Sequence, residues 1–260
     1  MAGFTSERGG VINIGLEGLM LIAACVTGLI SPTYGATMGL LAGIGAATLL
    51  SLLHWLATQK YRIDHVISGM AVNAIAAGAS SFLYGAFSDP AKSGSMPHFD
   101  VRIFEALALV LPFALWAYAA RTRGGLRLQA VGSDPERARL AGLNPLRIRL
   151  EGLTATGVFA GLGGVMLVSN SGVFTNDMTA GKGYIALAAL ILGGWRPLAA
   201  FAACLAFGFL SALQIQFQGQ LFAGINIPSE FWASVPYIAT VIALAGFLGK
   251  NRTPAGLGKL

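Results

Sequence analysis

The chain has 260 residues, 55% of them hydrophobic and only 11% charged, with a mean hydropathy of +0.68. A water-soluble domain carries about 25% charged residues, so the composition excludes an ordinary soluble enzyme and points to a polytopic helical membrane protein. The net charge of +6 would suggest nucleic acid as the partner of a soluble protein; in a chain this apolar it belongs to the loops beside the bilayer, and no nucleic-acid partner is expected.

The opening residues, MAGFTSERGG, lack the basic-then-apolar order of a cleavable signal peptide. Insertion is therefore expected to rely on the membrane helices themselves. Apolar spans lie at roughly 12–30, 33–58, 63–87, 103–120, 150–169, 183–195, 197–217 and 229–249, which predicts an all-α fold of about eight crossings forming one transmembrane domain over 1–260. In the first span Asn13 and Glu17 are four apart, which would place them on one helix face. A carboxylate inside an apolar run is costly unless it is paired or faces water. Glu17 therefore reads either as a link to a neighbouring helix, through its backbone N–H groups, or as lining of a polar pathway. Asn73, in the third span, is a similar case.

Gly35, Gly39 and Gly43 form a line of small residues in the second span, and Gly157 and Gly161 repeat the spacing in the fifth. Small faces let helix backbones approach closely in lipid, and tight packing within the chain is the leading reading. Cys25 and Cys204 lie inside apolar runs and read as small hydrophobes. The histidines His54, His65 and His98 are scattered, and no metal site is expected. No GxxxxGK[ST], HExxH or GxSxG occurs, so no catalytic residue is assigned.

Residues 121–149 break the apolar pattern and form a charged loop with seven arginines. Ser133 or Asp134 is a good N-cap and Pro135 suits the first helical position. Glu136 favours the positive end of the helix dipole and Arg139 the negative end. Gly142 supplies the stop, and Asn144–Pro145 can cap the next helix. The pattern predicts a short helix capped at both ends, over about 134–142. The span at 183–195 is short and closes on GGWRP, where two glycines and a proline interrupt the helix near 183–197. Gln214, Gln216 and Gln218 approach the outer end of the seventh span and read as interfacial.

Counting lysines and arginines by loop puts fourteen on one side: Arg8, Lys60, Arg62, the seven of 121–149, Arg196, Lys250, Arg252 and Lys259. Three, Lys92, Arg102 and Lys182, fall on the other. That asymmetry predicts a multi-pass protein with both termini and the 121–149 loop in the cytoplasm.

Several stretches together resemble one family. ERGGVINIGLEGLML, AVGSDPERARLAGLNPLRIR, GVFAGLGGVMLV, MTAGKGYIALAALILGGWRPLAAFAACLAFGFLSALQ and IPSEFWASVPYIATVIALA are similar, in order, to segments of the permease subunits of ABC importers for nucleosides and simple sugars, within the wider ribose and branched-chain amino acid permease family. The family usually has a further membrane helix before the first motif, whereas eight residues precede Gly9 here. Asp134 stands where Asn is usual and Lys182 where Arg is common. The resemblance implies a bacterial plasma-membrane subunit without enzymatic activity, which pairs with a second, related permease. A cytoplasmic ATPase would bind the ATP and Mg, and an extracytoplasmic lipoprotein would deliver substrate from outside the membrane. It also implies that Asp134, Pro135, Glu136, Arg137, Ala138, Arg139, Leu140, Ala141 and Gly142 form the coupling helix that docks on the ATPase. Asn13, Glu17 and Asn73 are the candidates for the substrate pathway. Nucleosides are the favoured cargo, with simple sugars and branched-chain amino acids behind. A self-sufficient secondary transporter or channel is the alternative of a different class; it would call for paired charges inside the membrane, and Glu17 is nearly alone there.

Overall fold

The computed structural model describes residues 1–88, 100–217, 221–222, 225–226, 229–247 and 253–259. Lys92, His98, Gln218, Lys250 and Arg252 lie outside the described residues. The chain is helical, apart from a two-residue antiparallel pair, Leu221–Phe222 (β1) with Ile225–Asn226 (β2). It opens with a buried six-residue helix, α1 (Ala2–Glu7), followed by α2 (Leu16–Tyr34) and α3 (Ala36–Trp55), whose end continues as a π-helical turn over Leu56–Lys60. Next come α4 (His65–Phe87), α5 (Val101–Arg121), α6 (Arg123–Ser133), α7 (Pro135–Leu140) and α8 (Pro145–Ser171). The chain finishes with α9 (Lys182–Leu192), α10 (Pro197–Phe217) and α11 (Ser229–Phe247). Each apolar span of the sequence has a helix. Six of them, α2 to α5, α8 and α10, are long and apolar enough to cross a bilayer, so the protein is a polytopic helical membrane protein.

The seventh, α9, is different. Its 11 residues span about 16 Å at ~1.5 Å per residue, roughly half of the ~30 Å hydrocarbon core. The residues before it, 172–181, are non-helical. Non-helical backbone at membrane depth is tolerated where protein or a water-filled cavity covers it. The helix stops where the sequence predicts: Gly194 donates to the Ile191 carbonyl and Trp195 to that of Leu190, and both have positive φ. These two bonds close α9 in a Schellman turn, and Pro197 then opens α10.

Packing centres on α2, which is mostly buried, with α3, α4 and α8 around it. Side-chain-free surfaces allow this. A Cβ on Gly161 would lie 2.9 Å from the Ile44 Cα, one on Gly157 2.5 Å from that of Thr48, and Gly39 and Gly43 face Ser31 and Thr27 of α2. The glycines therefore serve packing within the chain. Gly35 is the exception: it is the joint between α2 and α3, with φ +87, and a Cβ there would meet no atom within 4 Å.

Two sequence expectations need correction. Asn13 does not share a helix with Glu17, because α2 begins only at Leu16; the Asn13 side chain accepts the Gly15 N–H at 3.0 Å instead, a local turn that competes with helix. Lys182, expected in a loop, is instead the first residue of α9. The sequence reading also missed α6, an amphipathic helix that begins under a Thr122 cap.

Candidate functional site

Two regions carry the features singled out in the sequence. The first is α7. Asp134 is its N-cap, with Oδ1 accepting the backbone N–H of Glu136 at 3.1 Å and of Arg137 at 3.0 Å. The Arg137 Nε also pairs with Asp134 Oδ2 at 3.0 Å. These contacts, the Arg137 backbone N–H foremost, hold the Asp134 carboxyl below its ordinary range. At the other end Gly142, at φ +81, donates to the Arg139 carbonyl and Leu143 to that of Ala138, both at 3.0 Å. That pair of bonds is again a Schellman turn, and it needs a residue that tolerates positive φ. Asn144 then caps α8 by accepting from Arg147 at 3.3 Å.

Caps at both ends satisfy terminal backbone groups that a six-residue helix would otherwise leave open. Ala138 is buried and anchors it, while Glu136, Arg137, Arg139, Ala141 and Gly142 are exposed and Leu140 is 88% exposed.

The second region lies where the start of α9 meets the start of α2. The Glu17 carboxylate, 8% exposed, accepts the Gly181 N–H on Oε1 at 2.8 Å and the Gly183 N–H on Oε2 at 2.6 Å. The free N–H groups at the start of α9 are thereby satisfied by a negative charge, which the helix dipole favours. Gly183 permits the approach: a Cβ there would lie 2.6 Å from the Glu17 Cα. Asn73 of α4 works alongside. Its Oδ1 accepts the Gly18 N–H at 2.8 Å, and its Nδ2 donates to the Ile14 carbonyl at 3.1 Å and the Tyr184 hydroxyl at 2.9 Å. Asn73 sits eight residues into α4, about 12 Å along the helix at ~1.5 Å per residue. Tyr184 is half exposed, as is Tyr237 of α11, which donates to the Ala180 carbonyl at 3.0 Å.

Of the pathway candidates, Glu17 and Asn73 meet at this junction, while Asn13 is 1% exposed in the loop beneath it and its Nδ2 has no protein partner. Glu17 makes the backbone link that the sequence offered as one of its two readings. Tyr184 and Tyr237 were not singled out, since lone tyrosines in apolar runs carry no distinguishing pattern. Glu7 was missed as well. Its buried carboxylate accepts the Trp195 Nε1–H at 2.6 Å, fastening the break after α9 to the end of α1. Burial pushes the Glu7 carboxyl up to about 7, against the lowering effect of the Trp195 and Asn13 hydrogen bonds. Among the described residues, no cluster of His, Cys, Asp and Glu could hold a metal ion.

Comparison with known proteins places this architecture. Residues 3–244 match the family described as branched-chain amino acid transport system / permease component. The chain is 35% identical to the guanosine ABC transporter permease protein NupQ of Bacillus subtilis, over 99% of its own length and 90% of that protein. It is 34% identical to the nucleoside ABC transporter permease protein NupC of Lactococcus lactis, with the same coverage. A putative glucose ABC transporter permease protein, TsgC13 of Haloferax volcanii, is 27% identical over 92% of this chain and 84% of that one. No solved structure matches. The chain belongs to the branched-chain amino acid transport system permease family, and it is a membrane-embedded transport component rather than an enzyme.

Proposed function

We propose that the chain is one of two homologous permease subunits, paired as a heterodimer, in an ATP-driven importer of nucleosides. It sits in the bacterial plasma (inner) membrane with both termini and the α6–α7 face in the cytoplasm. The observation that carries the cargo is the pair of nucleoside-transporter relatives, each matching 99% of the chain at 34–35% identity. The excess of basic residues on one side supports the orientation. The doubly capped α7, with Leu140 projecting, supports a docking role toward an ATPase partner. That partner binds the ATP and Mg; this chain holds neither. An extracytoplasmic binding lipoprotein delivers the nucleoside at the opposite face.

In this reading ATP binding draws the α7 helices of the two permeases together, and the motion reaches the α2–α9 junction. Half-helices that begin at membrane depth are the usual place for substrate sites in transporters. The cargo passes along the side where Asn73, Tyr184 and Tyr237 present polar groups, while Glu17 and Asn13 hold the backbone beneath. The test is reconstitution of the complete importer in proteoliposomes with radiolabelled guanosine. Uptake that requires ATP, the ATPase and the binding protein is the expected result. Gradient-driven uptake by this chain alone would overturn the reading. A sugar cargo is the second reading, favoured by the Haloferax relative; it predicts ATP-dependent uptake of radiolabelled glucose and none of radiolabelled guanosine.

A further inference from the structure

Arg149, in the second turn of α8, is only 3% exposed. Among the described residues no carboxylate pairs with it. Its guanidinium is held by three neutral oxygens instead: Nε donates to the Gly9 carbonyl at 3.2 Å, Nη1 to Gln59 Oε1 at 2.6 Å and Nη2 to the Lys259 carbonyl at 2.9 Å. Those oxygens belong to three separate parts of the chain: the loop after α1, the π-helical end of α3, and the C-terminal tail. Burying a guanidinium is costly unless its N–H groups are hydrogen-bonded, and its fixed fork is suited to holding several segments in one orientation.

The tail, residues 253–259, is not a loose end. Pro254 and Gly256 are buried. The Gly256 N–H donates to the Gly132 carbonyl at 2.9 Å and the Gly258 N–H to the Gly10 carbonyl at 3.0 Å. Beside Arg149 three glycines meet. A Cβ on Gly10 would lie 3.1 Å from Arg149 Nη2 and 3.1 Å from the Gly256 carbonyl oxygen; one on Gly256 would lie 2.8 Å from the Gly132 oxygen and 3.1 Å from Pro135 Cδ. Gly132 stands two residues before the Asp134 cap, so the tail is wedged against the root of α7.

From Gly10 the chain runs seven residues to Glu17 and is gripped on the way. His54 Nε2 bonds the Ile12 carbonyl at 3.1 Å, and the Ile12 N–H reaches His65 Nδ1 at 3.3 Å. His65 Nε2 lies 3.3 Å from Gln59 Nε2, which returns the contacts to the Arg149 partner. The root of α7 and the start of α9 are thus linked through the tail, the 10–17 segment and the Glu17 side chain.

We infer that the C-terminal tail is a strut of the coupling apparatus and that Arg149 is its positioning residue: together they carry displacement of α7 into the 8–15 loop and on to the start of α9. The inference rests on the reading of α7 as the ATPase contact. Arg149 touches neither nucleotide nor cargo, so the measurement that matters is transport per ATP rather than transport alone.

The experiment uses the complete reconstituted importer with guanosine as the probe. Gly256→Val, which drives a side chain into Gly132 and Pro135, and Arg149→Lys, which keeps the charge and loses the fork, should leave ATPase binding intact and ATP hydrolysis within about twofold. Guanosine moved per ATP should fall at least fivefold in both. Leu140→Asp is the control for the underlying reading and should strip the ATPase from the complex. If it does so while Gly256→Val leaves the transport ratio unchanged, the strut is overturned and α7 stands; if Leu140→Asp retains the ATPase and uptake, α7 itself is wrongly assigned. Hydrogen exchange in the unmodified complex decides the matter if the variants fail to assemble. The Gly256 and Gly258 amides should stay protected with and without ATP, and loss of protection on ATP binding would overturn the strut.

Discussion

The Trp195 indole N–H lies 2.6 Å from the Glu7 carboxylate, buried between the end of α1 and the break that follows α9. Burial is the dominant influence on Glu7 and raises its carboxyl from 4.5 to about 7. The folded state therefore holds this proton more tightly than the unfolded chain does. Its stabilising contribution is complete at low pH and is lost progressively as pH climbs from about 4.5 to about 7. Thermal unfolding in detergent should show a midpoint that declines across that window. Glu7→Gln keeps an acceptor for Trp195 and cannot ionise, so the difference between the two curves should grow as pH rises.

Glu17 accepts two backbone N–H groups with its two oxygens. A glutamine offers one oxygen and sets an amide N–H against the other donor. Glu17→Gln should cost roughly 1–3 kcal/mol, the penalty of a buried donor left without its acceptor, and Glu17→Ala more. Lowered thermal midpoints in the purified protein would show this, and wild-type midpoints in both variants would contradict it.

The α3–α8 contact depends on Gly157 and Gly161. Gly157→Val forces a branched side chain against the Thr48 backbone, where the glycine leaves no room. Overpacking costs typically about 1–3 kcal/mol and occasionally more. Yield of folded protein from mild detergent should drop, while Gly35→Ser, at an open joint, should have a smaller effect that reflects its positive φ alone.

The α7 caps can be tested without touching its exposed face. Asp134→Ala removes the cap and should destabilise the helix by about 1 kcal/mol; Asp134→Asn retains an acceptor and should recover most of it. Reconstituted uptake should follow the same order. Equal uptake in all three would show that rigidity at this end is unimportant.

Helix positions and the charged island were legible because their causes are local. The Asp-Pro and Asn-Pro starts, the Gly142 stop and the GGWRP break each act within a few residues, and each appears where capping and steric rules put it. The centre of the site was only half legible. Glu17 stood out because a carboxylate in an apolar run demands a partner, yet nothing nearby in sequence identifies Gly181 and Gly183 as that partner, more than 160 positions away. Arg149 was hidden for the opposite reason. It is one of seven arginines in a loop where solvent exposure is the ordinary state, and only the convergence of Gly9, Gln59 and Lys259 distinguishes it. Asn13 was misplaced because helical spacing was extended through a turn that its own side chain makes.

The pairing of both early carboxylates with the region around α9 also imposes an order on biosynthesis. Glu17 and Glu7 find their partners 166 and 188 positions later. At about 5–20 residues per second the ribosome needs on the order of ten to forty seconds to supply them. Until then the first two acidic side chains wait without their eventual donors, so the beginning of this polypeptide is finished only when its far half arrives. Nascent chains ending before Gly181 lack the donors that both carboxylates bond in the finished protein.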